Sequence, residues 1–375
     1  MNLCSVPLQA ADMEYVEKAQ AFARDVLAPN AETWERERKQ PAVLREMIAE
    51  FTKLYVPKEL GGLGASKTTI CRELEELAWA DYGATFAFEV HNHVTMMVAM
   101  IEDDALRSRY LAKLMSGEMI GAFLLTEPGA GSDASSIQCR AVEEGDHYIL
   151  NGEKAWVTNA GTADLLLVFA QTGTTTKDII SFLVERTQPG VNFKGAYEMV
   201  GAHAAETGVF AFENCVVPKQ NIAFGLGDAF KKALGAIDFA RFAIAAMCNG
   251  AYKCGLETAV AYAKERIQFG KPILKNQGLQ WKLANELTNL EASRMLTFLA
   301  AKSMDDGQPS TTIAAHCKKY AVQAAFNGVN CAMQCMGSNG LNRKYPLVRQ
   351  MTALAITYNT DGTNDICNLV IGRTL

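Results

Sequence analysis

No block of five or more like charges occurs in this 375-residue chain, whose formal net charge is −5. A basic surface for nucleic acid is thereby excluded. No apolar run approaches the roughly 18 residues of a membrane helix, so no membrane association is expected. Residues 1–11 lack a basic n-region and an Arg-rich amphipathic pattern, and no signal or transit peptide is read there. Neither G-x-G-x-x-G nor a P-loop occurs, which argues against Rossmann and P-loop chemistry. The ten cysteines, Cys4, Cys71, Cys139, Cys215, Cys248, Cys254, Cys317, Cys331, Cys335 and Cys367, form no C-x-x-C pair. Cys331 and Cys335 share a helical face, but no His or Cys set completes a zinc site. Reduced, mostly buried thiols in a cytoplasmic protein are the expectation. His91 and His93 flank Asn92. With no third ligand nearby they are read as pocket-lining residues, and no metal site is predicted.

What is present is an ordinary globular composition, 49% hydrophobic and 21% charged, over a length that suits two or three domains. Apolar positions recur at helical spacing over 13–27, 43–54 and 70–80, with a buried helix at 86–101 and a short amphipathic one at 105–115. A Pro- and Gly-rich stretch, 57–64, separates the second from the third. From about residue 119 the pattern turns to strands. Residues 148–150 and 153–158 read as a hairpin about a type I′ turn at Asn151-Gly152, followed by strands at 165–171, 178–185, 191–193 and 208–217. From residue 227 the helical period returns. No proline lies between Pro218 and Pro272, so one or two long helices fit there, followed by helices at 276–302, 310–336 and 345–358. The predicted fold is α+β, mainly α: an N-terminal helical domain (1–118), a middle antiparallel β domain (119–226) and a C-terminal helical bundle (227–375).

Between helices and strands stands Thr126-Glu-Pro-Gly-Ala-Gly-Ser-Asp133. Pro128 stops any helix, and Gly129 and Gly131 free the backbone to turn. Such a turn offers consecutive N–H groups to an anion such as a diphosphate, although a plain surface turn has the same composition.

Together with Asn151-Gly-Glu-Lys-Ala-Trp-Val-Thr-Asn159, Phe212-Glu-Asn-Cys-Val-Val-Pro218, Arg266-Ile-Gln-Phe-Gly-Lys271, Gln334-Cys-Met-Gly-Ser-Asn-Gly340 and Asp361-Gly-Thr363, this motif resembles the acyl-CoA dehydrogenase family over essentially the whole chain. The resemblance implies FAD between the β domain and the C-terminal bundle, a tetramer built as a dimer of dimers, and an electron-transferring flavoprotein as acceptor. It implies that Thr126 faces the flavin ring, Ser132 reaches the diphosphate, Trp156 packs on the ring and Thr158 bonds near N5. Arg266 and Phe269 match positions that reach the FAD of a neighbouring subunit, and Gln334, Gly337 and Thr363 match its adenosine end. Asp238 and Arg241, at i, i+3 in the long helix, match positions beside the pantetheine arm of an acyl thioester carried by CoA or a carrier protein. On the residues alone, Trp156 reads sooner as a core aromatic in a hairpin and Arg266 as an exposed helix-end arginine, and Asp238 with Arg241 as a common local ion pair.

The catalytic position departs from the pattern. Where the family has glutamate before Gly-Thr, this chain has Asp361, and the alternative position in the long helix holds Ala240. Aspartate is shorter by about 1.5 Å, and a misplacement of 1 Å can cost on the order of 100-fold. Thr360 replaces a bulky neighbour, while His203 and Ala205 replace an arginine and a serine. The expected function is α-proton abstraction by Asp361 with β-hydride transfer to flavin. Two alternatives stay open: a nitroalkane-oxidase-like flavoenzyme, whose family branch carries aspartate here, and a non-catalytic FAD-binding assembly subunit. Residues 86–97 and 237–246 are expected to line the pocket.

Overall fold

The computed structural model describes residues 10–375; Cys4 and most of the stretch read for a leader lie outside them. Six helices occupy the first third: α1 (Ala10–Phe22), α2 (Ala28–Glu37), α3 (Val43–Phe51), α4 (Lys67–Ala80), α5 (Tyr82–Ala99) and α6 (Asp104–Met115). Spacing predicts the first to end at residue 27, before Pro29. Instead it continues through a π turn, Ala23–Leu27, into α2. The wider turn lets the Ala28 N–H bond back to the Ala23 carbonyl, and Pro29 falls in the first turn of α2, where no donor is needed. Carboxylates start the last two of these helices. Asp81 accepts from the Ala84 N–H at 2.8 Å to open α5, and Asp103 accepts from the Leu106 N–H at 3.0 Å to open α6.

The chain then enters a sheet of β1 (Gly121–Leu124), β2 (Arg140–Glu144), β3 (His147–Val157), β4 (Leu165–Gln171), β5 (Ile179–Glu185), β6 (Val191–Ala196), β7 (Gly208–Pro218) and β8 (Ile222–Phe224). The order is β6-β7-β3-β2-β4-β5-β8, with β1 added on β4. Pairing is antiparallel except at β4, which runs parallel to β1 and meets β2 in parallel at one residue pair, because the chain leaves β1 through the 126–133 turn and returns by way of β2 and β3. The hairpin expected about Asn151-Gly152 does not form. Those residues lie inside the continuous strand β3, at a bulge against β7, and the hairpin joins β2 to β3 through Gly145 and Asp146. Gly152 is needed for close approach rather than for a turn: a Cβ there would stand 2.7 Å from the Cys139 Cα.

From residue 229 one 37-residue helix, α7 (Ala229–Glu265), crosses the molecule. A small hairpin, β9 (Ile267–Gln268) and β10 (Lys271–Pro272), leads to α8 (Gln277–Asp305), α9 (Thr311–Cys335), α10 (Leu347–Ile356) and a final helix absent from the sequence reading, α11 (Asn364–Gly372). A single apolar core joins the N-terminal helices to the bundle, with Phe88 of α5, Phe242 of α7 and Val322 of α9 all in it. Where α4 crosses α7 the backbones nearly touch, since a Cβ on Gly250 would lie 2.2 Å from the Glu75 carbonyl. Buried ion pairs flank the crossing: Lys253 with Glu76 at 2.7 Å and Arg294 with Glu75 at 2.6 Å. The sheet packs against α5, α6 and the start of α7, and the seam between sheet and helices holds a cavity. No helix among the described residues is long and apolar enough to cross a membrane.

Candidate active site

The 126–133 turn closes on itself through paired backbone bonds between Glu127 and Ala130. Its anchor is the buried Glu127 carboxylate. It accepts from the backbone N–H groups of Gln138 (2.6 Å) and Cys139 (2.9 Å) and from the Lys154 ammonium (2.7 Å), which also donates to the Leu125 carbonyl at 2.9 Å. Every charge in this pair is hydrogen-bonded, the condition under which a buried ion pair holds. The alternation of Tyr148, Leu150 and Lys154 along β3 places that lysine on the inner face, a signal the sequence carries.

Beside the turn, β3 slips register against β7 between Lys154 and Val157. Trp156 sits in that bulge with a left-handed φ of 57°. The bulge re-aims the side chain, so the indole is 57% exposed at the cavity and stacks on Tyr197 with centroids 4.3 Å apart. It is therefore not the core aromatic that the residues alone allowed. Thr126, Ser132 and Thr158 line the same cavity of about 550 Å³. A side chain at Gly129 or Gly131 would meet nothing within 4 Å, so the turn is open to a ligand.

The opposite contribution comes from the segment between α10 and α11. Asp361 (φ 49°) and Gly362 (φ 84°) reverse the chain there and line the cavity together with Thr363. Aspartate tolerates the left-handed region better than most side chains. Thr363 also caps α11 by accepting from the Ile366 N–H at 3.1 Å. Two cations hold this turn. Arg241 donates to the Asp361 carbonyl at 3.2 Å and to Asp238 at 2.9 Å, and Thr311 donates to the other oxygen of Asp238. The pair read at i, i+3 is thus both a local ion pair and a brace for the turn. Lys318, wholly buried in α9, donates to the Gly362 carbonyl at 2.9 Å and to Asn364 at 3.1 Å. It falls on the buried stripe Ala314, Ala315, Lys318, Ala321, Val322, a spacing that marks it as internal. Burial pushes the Asp361 carboxyl up to about 6, against the opposing pull of Lys318 and Arg241. Burial also pushes Lys318 down, and raises Glu89 of α5 well above the usual carboxylate range with help from the Asp361 charge.

Of the two paired histidines, His91 is structural: its Nδ1 accepts from the Gly121 N–H at 3.1 Å, and burial pushes it down to about 3. His93 lines the cavity, stacked on Phe123 at 4.8 Å, and burial pushes it down to about 4. No cluster of metal-binding side chains occurs among the described residues. His203 sits 2.9 Å from the Glu35 carboxylate and 2.9 Å from the Met199 carbonyl, and Met199 and Val200 contribute to the cavity rim. Phe86, Val90 and Ile237 line it from α5 and α7.

Arg266, Phe269, Gln334 and Gly337 lie elsewhere, on an exposed region where the end of α7 meets the end of α9. Asn339 ties the two by donating to the Tyr262 hydroxyl at 2.8 Å. Phe269, at the tip of the small hairpin, is 99% exposed with φ 50°. The nine cysteines among the described residues are free thiols, seven of them buried.

Models of the acyl-CoA dehydrogenase N-terminal, middle and C-terminal domains match residues 10–118, 122–215 and 227–375. The chain is 33% identical over 359 residues to an acyl-CoA dehydrogenase of Bacillus subtilis (strain 168), covering 94% of this chain and 95% of that one. Among solved structures it superposes on butyryl-CoA dehydrogenase from Megasphaera elsdenii with TM-score 0.94, 31% identity and 99% of both chains covered. A chain from a structure of the electron transferring flavoprotein of Acidaminococcus fermentans gives TM-score 0.95 at 34% identity, again over 99% of both chains.

Proposed function

Because the chain belongs to the acyl-CoA dehydrogenase family, whose members are oxidoreductases acting on CH–CH groups, we propose that it is a FAD-dependent dehydrogenase that places an α,β-double bond in an acyl thioester. The observation that carries this reading is the meeting of Asp361 with Trp156, Thr126 and Thr158 in one cavity, although Asp361 follows them by more than 200 residues.

The residues present suit FAD. An exposed indole, three hydroxyl side chains and an open Gly-rich turn offer an aromatic cover, hydrogen-bond partners and free backbone N–H groups. Thr126, Ser132, Trp156 and Thr158 would hold it from one chain, with Thr363 alongside. Arg266, Phe269, Gln334 and Gly337 would serve from a neighbouring copy in a homotetramer, and their exposure on the free chain agrees with that role. FAD, when bound, supplies the acceptor for the β-hydride.

Asp361 takes the α-proton onto its carboxylate. A carboxyl raised to about 6 is still mostly ionised at neutral pH and is a stronger base than an ordinary aspartate. Its backbone N–H, in the turn braced by Arg241 and Lys318, is assigned to the thioester carbonyl oxygen, where developing negative charge is stabilised. Asp238 keeps Arg241 in place. The chain would bind the thioester of CoA or of a carrier protein and pass electrons to an electron-transferring flavoprotein. The free thiols support a reducing, cytoplasmic setting.

The test is spectroscopic. The purified protein should carry a flavin spectrum, bleached without oxygen by a short-chain or branched acyl-CoA and unchanged in Asp361→Asn, which keeps its flavin. Bleaching by a nitroalkane with peroxide formed in air would instead favour the oxidase reading that Asp361 permits. Failure to bind FAD at all would remove both.

A further inference from the structure

We propose that the acyl group accepted by this cavity carries a hydrogen-bonding substituent, a hydroxyl or an amine, read by a polar stripe on α5. This rests on the acyl-thioester reading and narrows its substrate class. The stripe consists of Tyr82, Glu89 and His93, at i, i+7 and i+11, and so on one helical face. His93 lines the cavity, is 3% exposed, and its Nε2 has no partner within the chain. Glu89, one turn earlier, is wholly buried, with neither carboxyl oxygen partnered. The Tyr82 hydroxyl is likewise buried and unpartnered. Phe86 and Val90, which line the cavity, interleave with the stripe.

Buried polar groups in folded proteins are almost always hydrogen-bonded, and an unpartnered ring nitrogen on the cavity wall at His93, with the unpartnered Glu89 carboxyl one helical turn behind it, marks a place where a ligand supplies the partner. An unsubstituted alkyl chain would seal these groups from water and offer nothing in return. A hydroxyl or amine would donate to the neutral His93 ring on the cavity wall, with the Glu89 carboxyl one turn behind as a second acceptor. A purely apolar pocket discriminates weakly between such acyl groups, whereas a site built to hydrogen-bond one rejects its unsubstituted analogue strongly.

The experiment compares anaerobic flavin reduction of the FAD-loaded protein by butyryl-CoA, 4-hydroxybutyryl-CoA and 4-aminobutyryl-CoA. One substituted thioester is expected to exceed butyryl-CoA in kcat/KM by about 10-fold or more. Glu89→Leu and His93→Phe should each bring that ratio toward one, and Glu89→Gln, which can still hydrogen-bond, should retain part of it. Butyryl-CoA as the best of the three, or a ratio untouched by both apolar variants, overturns the proposal. Flavin bleached by none of the three counts against the dehydrogenase reading itself. The stripe is then judged by thermal melting: Glu89→Leu should melt above the wild type because an unpartnered carboxyl is gone. A lower midpoint would show that the fold itself uses Glu89, and would overturn the proposal independently.

Discussion

The Lys318 ammonium donates to the Gly362 carbonyl at 2.9 Å across 44 residues of sequence. It bonds the residue next to Asp361 and places a buried cation near that carboxyl. Replacing it with methionine should leave the carbonyl and Asn364 unpartnered, at a cost of about 1–3 kcal/mol for each group left unpaired. With the cation gone, the pull that lowers the Asp361 pKa is lost. The acid limb of the pH profile for flavin reduction should therefore move to higher pH in Lys318→Met. An unmoved limb alongside reduced stability would make the lysine purely structural.

The Lys154–Glu127 pair should behave as a buried pair does when one partner is removed. Lys154→Met leaves the carboxylate uncompensated and should cost roughly 3–5 kcal/mol in a denaturant titration. Because Glu127 anchors the 126–133 turn, flavin retention after gel filtration should fall as well. The double variant Lys154→Met/Glu127→Leu should recover part of the stability, since no buried charge is left over.

Stability should also depend on pH through Asp361. Its carboxyl is raised from the ordinary 3.8 to about 6, so between those values the folded chain binds more protons than the unfolded one. Its contribution is full below about 4 and is lost as pH rises through about 6. Asp361→Asn removes this dependence. The stability of the variant relative to wild type should climb between pH 4 and 6 and level off above, as measured by urea unfolding at stepped pH.

Phe269 is nearly as exposed as a side chain can be, so its removal takes nothing from the packing of a single chain. Phe269→Ser should leave the helical circular dichroism and the monomer's melting unchanged while weakening self-association in analytical ultracentrifugation and loosening flavin. A change in monomer stability with the assembly intact would argue against a role between copies.

The site was partly legible in the chain. Thr126, Ser132, Trp156, Thr158 and Asp361 are legible from motifs and line one cavity; Thr363, which the motifs group with Gln334 and Gly337, lines this cavity instead and lies apart from those two. Arg266, Phe269, Gln334 and Gly337 were also read from motifs, and they form a separate exposed region. Lys318 and Glu89 were not read. Each is a charged residue inside an apolar helical stripe, and composition alone assigns such residues to solvent. Trp156 was read by type, but its left-handed bulge depends on how β3 registers against β7. The hairpin at Asn151-Gly152 was misread because the strongest local turn signal was overruled by pairing with a strand more than fifty residues later.

The order of helices, sheet and helices was determined by the sequence itself, because periods of 3.6 and 2 are written in neighbouring residues and need no distant partner. The 126–133 stretch and Asp361 were legible for the same reason, as local departures from those periods. Which buried charges gather around Asp361 was decided only by the tertiary structure. Arg241 lies 120 residues before it and Lys318 lies in a third helix, and a buried charge is held only where packing brings its partner within about 3 Å.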